Sequence, residues 1–233
     1  MFPHFEERLS DSPLVERIWS TRSDRAGSFT SISTAVWTMV IAKSNGRISM
    51  SLHGPVTGAT RKEFPAGAEW FGIEFKLGTF VPHIALGSFL DKFIVLPDGA
   101  GRSFSLGHSA WQFPNFENAD TFVSQLIRAG ILVHDPLLNA VHQGHPPSLS
   151  LRAVQYRVLH STGLSHRTIR QIERARYAAA LLKQGVSIFD TVFEAGYSDQ
   201  PHLTRSLKHY IGQTPSAIPA TPIIGLQPAS KIA

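Results

Sequence analysis

The 233-residue chain has no cysteine. That absence removes disulfide frameworks, thiolate zinc sites, thiol redox switches and cysteine nucleophiles, and it fits a reducing, cytoplasmic setting. The start, MFPHFEERLS, offers neither a basic n-region nor an apolar h-region, so no secretory signal is expected. Long apolar runs are missing too. The uncharged stretch between Arg25 and Lys43 carries six Ser and Thr residues and falls short of a spanning helix, so no membrane partner is expected. Catalytic signatures are equally scarce: no Gly-x-Ser-x-Gly elbow, Walker loop or dinucleotide fingerprint occurs. His4, His53, His83 and His108 are scattered, with no His-x-His or His-Glu-x-x-His pairing. An enzyme is not expected, nor is a cofactor or metal, although a metal site assembled in space stays open.

What is present is the composition of a folded globular protein, with 42% hydrophobic and 17% charged residues, 18 Gly and 15 Pro. The length allows one large domain or two small ones. Lys plus Arg balance Asp plus Glu at twelve each through residue 134, then outnumber them ten to five from 135 to 233. The whole net charge of +5 therefore sits in the last 99 residues. A neutral first part joined to a basic second part suits a ligand- or partner-binding domain followed by a module that meets polyanions, nucleic acid first among them. A modest excess that serves only solubility fits the count as well.

Residues 1–115 carry the period of strands. Phe29, Ile32 and the block Ala35 to Ala42 read as strands, and Ser44-Asn45-Gly46 breaks the block into a hairpin in which Ile48, Met50 and Leu52 alternate with Ser49 and Ser51. Phe71, Ile73 and Phe75 alternate with Gly72, Glu74 and Lys76. We expect a mostly antiparallel barrel or sandwich with a short helix near Leu86 to Phe93. In residues 116–134, Phe122, Val123, Leu126 and Ile127 follow a candidate cap at Asn118, which predicts a connecting helix whose apolar stripe packs on a domain or pairs two copies.

Residues 135–220 read as short helices. Asp135-Pro136 starts one that runs to about His142 and is ended by Gly144 and Pro146-Pro147. Ser150 caps the next, with Leu151, Val154 and Val158 inward and Gly163 as its stop. Ser165 opens a longer helix to about Gln184, with Ile169, Ile172, Ala175, Ala179 and Leu182 on its apolar side. Ser187 and Asp199 cap two more, separated by a turn at Gly196. The same unit thus occurs twice, a short helix, a turn and a second helix with a polar face, joined by a rod of roughly 30 Å. Major-groove faces recur about every 34 to 36 Å, so such a rod can hold two recognition helices near successive grooves.

The segments SLRAVQYRVLHSTG, IERARYAAALLKQG and SIFDTVFEAGYSDQPHLTRSLKHYIGQTP resemble the C-terminal DNA-binding domain of the AraC/XylS family of transcription regulators. The resemblance implies an α+β chain: a cupin-like β domain at 1–115, then an all-α domain with two helix-turn-helix units on a linker helix. It implies promoter DNA as partner, an activator role through RNA polymerase, and a first domain that binds a small-molecule effector or pairs subunits. Carried over residue by residue, it places Arg152, Gln155 and Tyr156 of the first unit, and Gln200, Pro201, His202 and Arg205 of the second, at bases. Arg suits guanine and Gln adenine. Tyr156 stands where many members have arginine, and Pro201 cannot hydrogen-bond a base. Phosphate contacts fall to Ser150, Arg167, Thr204 and Lys208, whereas Arg174 and Arg176 are expected to brace the linker or pair with Glu173 or Asp190.

The run EWFGIEFKLGTFVPH also looks like first domains found in a subset of these regulators. Trp37, Trp70, Phe71, Phe75, Trp111 and Phe113 can wall an apolar pocket, and at alternating spacing they suit an ordinary core equally. A constitutive interaction module without effector, and an enzyme fused to a DNA tether, are the alternatives. Residues 221–233 are expected to form an extended or disordered tail.

Overall fold

The computed structural model describes residues 4–99, 102–142, 149–220, 223, 225 and 226. The first half is built from antiparallel strands: β1 (His4–Arg8), β2 (Val15–Ser23), β3 (Gly27–Ser31), β4 (Thr38–Ser44), β5 (Arg47–His53), β6 (Thr60–Phe64), β7 (Ala68–Phe75), β8 (Thr79–Phe80), β9 (Phe93–Val95), β10 (Asp98–Gly99), β11 (Ser103–Leu106) and β12 (Ser109–Gln112). Helix α1 (Ala119–Arg128) and strand β13 (Val133–His134) lead to the helices α2 (Pro136–His142), α3 (Leu151–Thr162), α4 (His166–Lys183), α5 (Ile188–Glu194) and α6 (Gln200–Tyr210).

Six strands form one sheet in the order β1-β2-β7-β4-β5-β9, flanked by the pairs β3-β6 and β8-β13 and the triplet β10-β11-β12. The expected β4–β5 hairpin closes at Asn45-Gly46, both at positive φ, as a two-residue turn between right-twisted strands requires. The edges β1 and β9 do not meet, so the sheet is open and the closed barrel is not formed. In place of a helix to Phe93, a single 3-10 turn covers Leu86–Phe89, and Phe93 begins β9.

One sheet face carries the main core. Met39, Ile41, Ile73 and Phe75 point to it, and Phe122, Val123 and Leu126 of α1 cover it. The apolar stripe of α1 therefore packs on the β domain, at roughly 2 kcal/mol for each large side chain buried. Asn118 precedes α1 without giving it a side-chain cap, because its Oδ1 accepts from the Asn115 amide at 2.8 Å. The second face is covered as well: Gly72 and Glu74, expected on the outer side of β7, are both buried.

The helical half has its own cores. Ala175, Ala179, Leu182, Val192, Leu203 and Leu207 form one, and Val158, Leu164, Ile169 and Ile172 form another with Leu137 and Leu138. Leu151, expected inward, is 75% exposed: it is the first residue of α3 and lies beyond the reach of that core. Both cores also take residues from the β domain, Ile32 in the first and Ala35 in the second. The halves dock further where Gly163, in the left-handed conformation that ends α3, sits on Gly87 so closely that a Cβ would lie 2.7 Å from its nitrogen. In the tail, Ile223 and Leu226 pack against the first helical core and the Gly225 carbonyl accepts from Arg176; the other tail positions lie outside the described residues, as does the expected stop at Gly144 and Pro146-Pro147.

Candidate nucleic-acid interface

Four of the helices start as the sequence dictates, α4 among them, where the Ser165 hydroxyl accepts from the Thr168 amide. The Ser150 hydroxyl accepts from the Ala153 amide, Ser187 does the same for Asp190, and Asp199 accepts from His202 at 2.7 Å. These caps fix where each recognition helix begins, and hence which side chains its first turns present. On α3, Arg152, Gln155 and Tyr156 are exposed; on α6, Gln200, Pro201 and Arg205 are exposed. His202 is half-buried, its Nδ1 3.1 Å from the Ser198 hydroxyl and its ring edge-on to Tyr197. Tyr156 lies over His160, which meets Phe80 of the β domain edge-on.

The two helices share a face. A groove of about 1330 Å³ is lined by Gln155 of α3, His202 of α6, and Arg167, Arg170 and Arg174 of α4 between them. The linker has 18 residues, about 27 Å of rise. Its arginines at positions 167, 170 and 174 recur at helical spacing along the groove, a cationic track between two polar helix faces.

The opposite ends of the recognition helices are occupied by the β domain. The last carbonyls of a helix have no partner inside it, and in α6 two of them are satisfied from outside: Tyr210 O accepts from the Ser33 amide and His209 O from the Ala59 amide, each at 2.8 Å. At α3, Arg157 forms a two-bond pair with buried Asp135, at 2.7 and 2.9 Å. Asp135 also accepts from the Leu137 amide at the start of α2, so one carboxylate ties α2 to α3. The N-terminal turns remain open, and these are the turns that reach base edges in helix-turn-helix complexes.

Residues 148–219 match the family model of a helix-turn-helix domain. The C-terminal region is an AraC-type helix-turn-helix domain. The chain is accordingly a DNA-binding transcription regulator. Two solved structures of ToxT from Vibrio cholerae align over 95% of this chain: one at 10% identity, covering 99% of that chain with a TM-score of 0.43, and one from strain O395 at 13%, covering 98% with 0.38. At that depth neither alignment adds to the assignment. No curated protein gives a significant match.

Within the AraC-type domain, Ser150, Arg167, Thr204 and Lys208, the expected phosphate contacts, are exposed or half-buried. Arg170 joins this set. Its spacing from Arg167 and Arg174 is visible in the sequence, but a helix that serves only as a spacer gives no reason to single it out. Arg174 instead spends its guanidinium on the Tyr197 ring, 4.5 Å from the centroid, and on the Gly196 carbonyl. Arg176 leaves the domain altogether, donating to Ser33 O at 3.0 Å and Gly225 O at 2.6 Å. Burial lifts the Glu173 carboxyl to about 7, against the pull of Arg176 and Arg170.

The aromatic residues considered as pocket walls divide between the two sheet faces. Trp37, Phe71 and Phe75 belong to the main core, and Trp111 and Phe113 pack against it. Trp70 alone of the six reaches the cavity of about 470 Å³ on the other face. There Trp19 lies across Gly72, whose missing side chain makes room for it: a Cβ would overlap the indole. Among the described residues no group of three or more His, Asp or Glu could hold a metal, and no helix is long and apolar enough to cross a membrane.

Proposed function

We propose that the chain is a sequence-specific regulator that sets α3 and α6 into two successive major grooves of promoter DNA. Its β domain then controls that engagement through a small molecule in the cavity on the sheet's second face. The carrying observation is the single groove shared by Gln155 and His202, with the α4 arginines between them. Arg152 and Gln155 read bases in the first half-site; Gln200 and Arg205 do so in the second, with Tyr156, Pro201 and His202 supplying shape and apolar contact. Arg167, Arg170 and Lys208 meet phosphates, and the hydroxyls of Ser150 and Thr204 add hydrogen bonds. Activation through RNA polymerase and pairing of two copies belong to the same reading and rest on the resemblance alone.

Control by the β domain is favoured by the docking contacts. The segments that wall the cavity at Ile32, Thr34 and Val56 are those whose neighbours Ser33 and Ala59 hold the end of α6. A constitutive interaction module would need no cavity beside that joint.

Selection of bound fragments from random DNA tests the proposal. Recovery of two short conserved blocks about one helical turn apart is the expected outcome; a single block means that only one unit reads sequence. Three phosphate-facing cations predict a salt slope of about −2.7, a loss of about fortyfold in affinity between roughly 50 and 200 mM salt. A slope near zero removes Arg167, Arg170 and Lys208 from the interface.

A further inference from the structure

Of the two recognition helices, α3 is the one built onto the β domain. Along its back, Val154, Arg157, Val158 and Ser161 recur at helical spacing. The two valines belong to a core that takes Ala35, Leu77 and Leu90 from the β domain. The end of the helix rests on Gly87 through Gly163. By contrast, Leu203 and Leu207 of α6 share a core dominated by α4 and α5, to which the β domain adds Ile32.

Asp135 stands at the α3 joint. Its amide donates to Gly78 O at 2.9 Å, next to the β8–β13 pairing of Thr79 with His134, and Thr79 O in turn accepts from the Trp37 indole of the main core at 2.6 Å. The backbone of Asp135 is thereby fixed to the β domain. Its carboxylate is fixed to α3: Oδ1 accepts from Arg157 Nη2 at 2.7 Å, Oδ2 from Arg157 Nε at 2.9 Å, and the Ser161 hydroxyl, one turn further along the same face, lies 3.5 Å from Oδ2.

Apolar contacts already dock α3, and a buried ion pair adds little to stability in its own right. What a two-bond fork adds is direction, because it fixes the planes of both groups. At about 100° per residue, Arg157 lies roughly 160° around α3 from Gln155 and roughly 140° from Arg152. The clamp therefore grips the helix from behind the two proposed readers. A roll of about 20° would carry an atom at a helix radius of about 5–6 Å through about 2 Å. That is well beyond the roughly 0.5 Å within which a binding constellation must be held.

We propose that Asp135 is a positioning residue for DNA recognition: by clamping Arg157 it sets the roll of α3 on the β domain, and hence the bases that Arg152 and Gln155 reach. This role rests on the reading of α3 as a base-reading helix. It makes the β domain a structural part of the first reading unit, through a joint separate from the one that Ser33 and Ala59 make with α6.

Titrations of the full chain against three versions of a selected two-block DNA fragment test the role: intact, with the α3 block scrambled, and with the α6 block scrambled. The α3 block is the one at which Arg152→Ala loses discrimination. Asp135 is 7% exposed and faces α3, so its effect on base preference passes through that helix. Asp135→Asn is expected to weaken binding about tenfold on the intact fragment and on the one that keeps only the α3 block, with no change where the α3 block is scrambled. A role in stability alone would lower the folded fraction and weaken all three alike. Arg157→Gln is expected to give the same selective loss with an unchanged salt slope. A slope smaller by about one, with equal weakening on every fragment, would make Arg157 a phosphate contact and overturn the proposal. Should Asp135→Asn fail to fold, Arg157→Gln decides by itself, since Arg157 is exposed and its replacement leaves the Asp135 backbone contacts in place. Equal loss on all three fragments, or no loss on the intact one, also overturns it. If Arg152→Ala discriminates at neither block, the reading of α3 falls and the positioning role with it. If Arg152→Ala discriminates and Asp135→Asn acts on no block selectively, the positioning role alone falls.

Discussion

Glu74→Ala is expected to lower the unfolding free energy by about 3 kcal/mol, because it strands the Arg17 guanidinium beneath the sheet. Arg17 and Glu74 are directly opposed across β2 and β7, and both side chains are about 10% exposed. Their cross-strand bonds satisfy two charges that burial would otherwise leave unsolvated. Glu7, itself half-exposed, retains one contact to Arg17 in the variant and keeps the loss below the upper end for a broken buried pair. The double replacement Arg17→Met with Glu74→Leu removes both charges and fills similar volume, so it should be more stable than Glu74→Ala alone. Urea unfolding followed by tryptophan fluorescence gives both values. A single-variant loss under about 1 kcal/mol would mean that solvent reaches the pair and that the cavity face is wetter than its burial indicates.

Arg152→Ala and Lys208→Ala are expected to weaken DNA binding in different ways. Arg152, exposed in the first turn of α3, is proposed as a base reader, and its loss should cost about 1–3 kcal/mol on the preferred sequence while sparing a fragment changed at the contacted base pair. Lys208, in the last turn of α6, is proposed as a phosphate contact. Its removal should weaken all sequences alike and reduce the salt slope by about one. Titrations of each variant against matched and altered fragments, at two salt concentrations, distinguish the outcomes. Equal loss of discrimination from both would contradict the division between base and phosphate contacts.

The helical half is legible in the sequence because its signals are local. Ser150, Ser165, Ser187 and Asp199 cap the helices they precede, and Ile169, Ile172, Ala175, Ala179 and Leu182 all lie on the buried side of α4. A cap bonds an amide three residues away, and a helix face repeats every three to four residues, so neither depends on the rest of the molecule. Arg176 shows where this stops. Nothing along α4 separates it from Arg174, yet one stays on Tyr197 and the other crosses to Ser33, 143 positions earlier in the chain.

The β half is readable as strands but not as surfaces. Period-two alternation divides Phe71, Ile73 and Phe75 from Gly72 and Glu74 whatever the fold, and it marks the apolar set as buried. Whether the other set meets water or a second wall depends on what the chain later lays over it. Here β3-β6, Arg176 and Gly225 do so, and the polar face becomes a cavity. That is why most of the aromatics prominent in the sequence went to the core, while Trp19, Phe29 and Phe64 became walls.

The sequence by itself determined the two helix-turn-helix units, their caps and their exposed polar faces, together with the antiparallel β character of the first domain, because each is written in contacts a few residues apart. Only the tertiary structure decided that the two recognition helices share one groove, that α6 ends on the amides of Ser33 and Ala59, and that Lys62 and Arg176 enter one cavity. Those facts arise where segments distant in the chain are pressed together by burial of apolar surface, which has no direction along the sequence and leaves no local pattern to read.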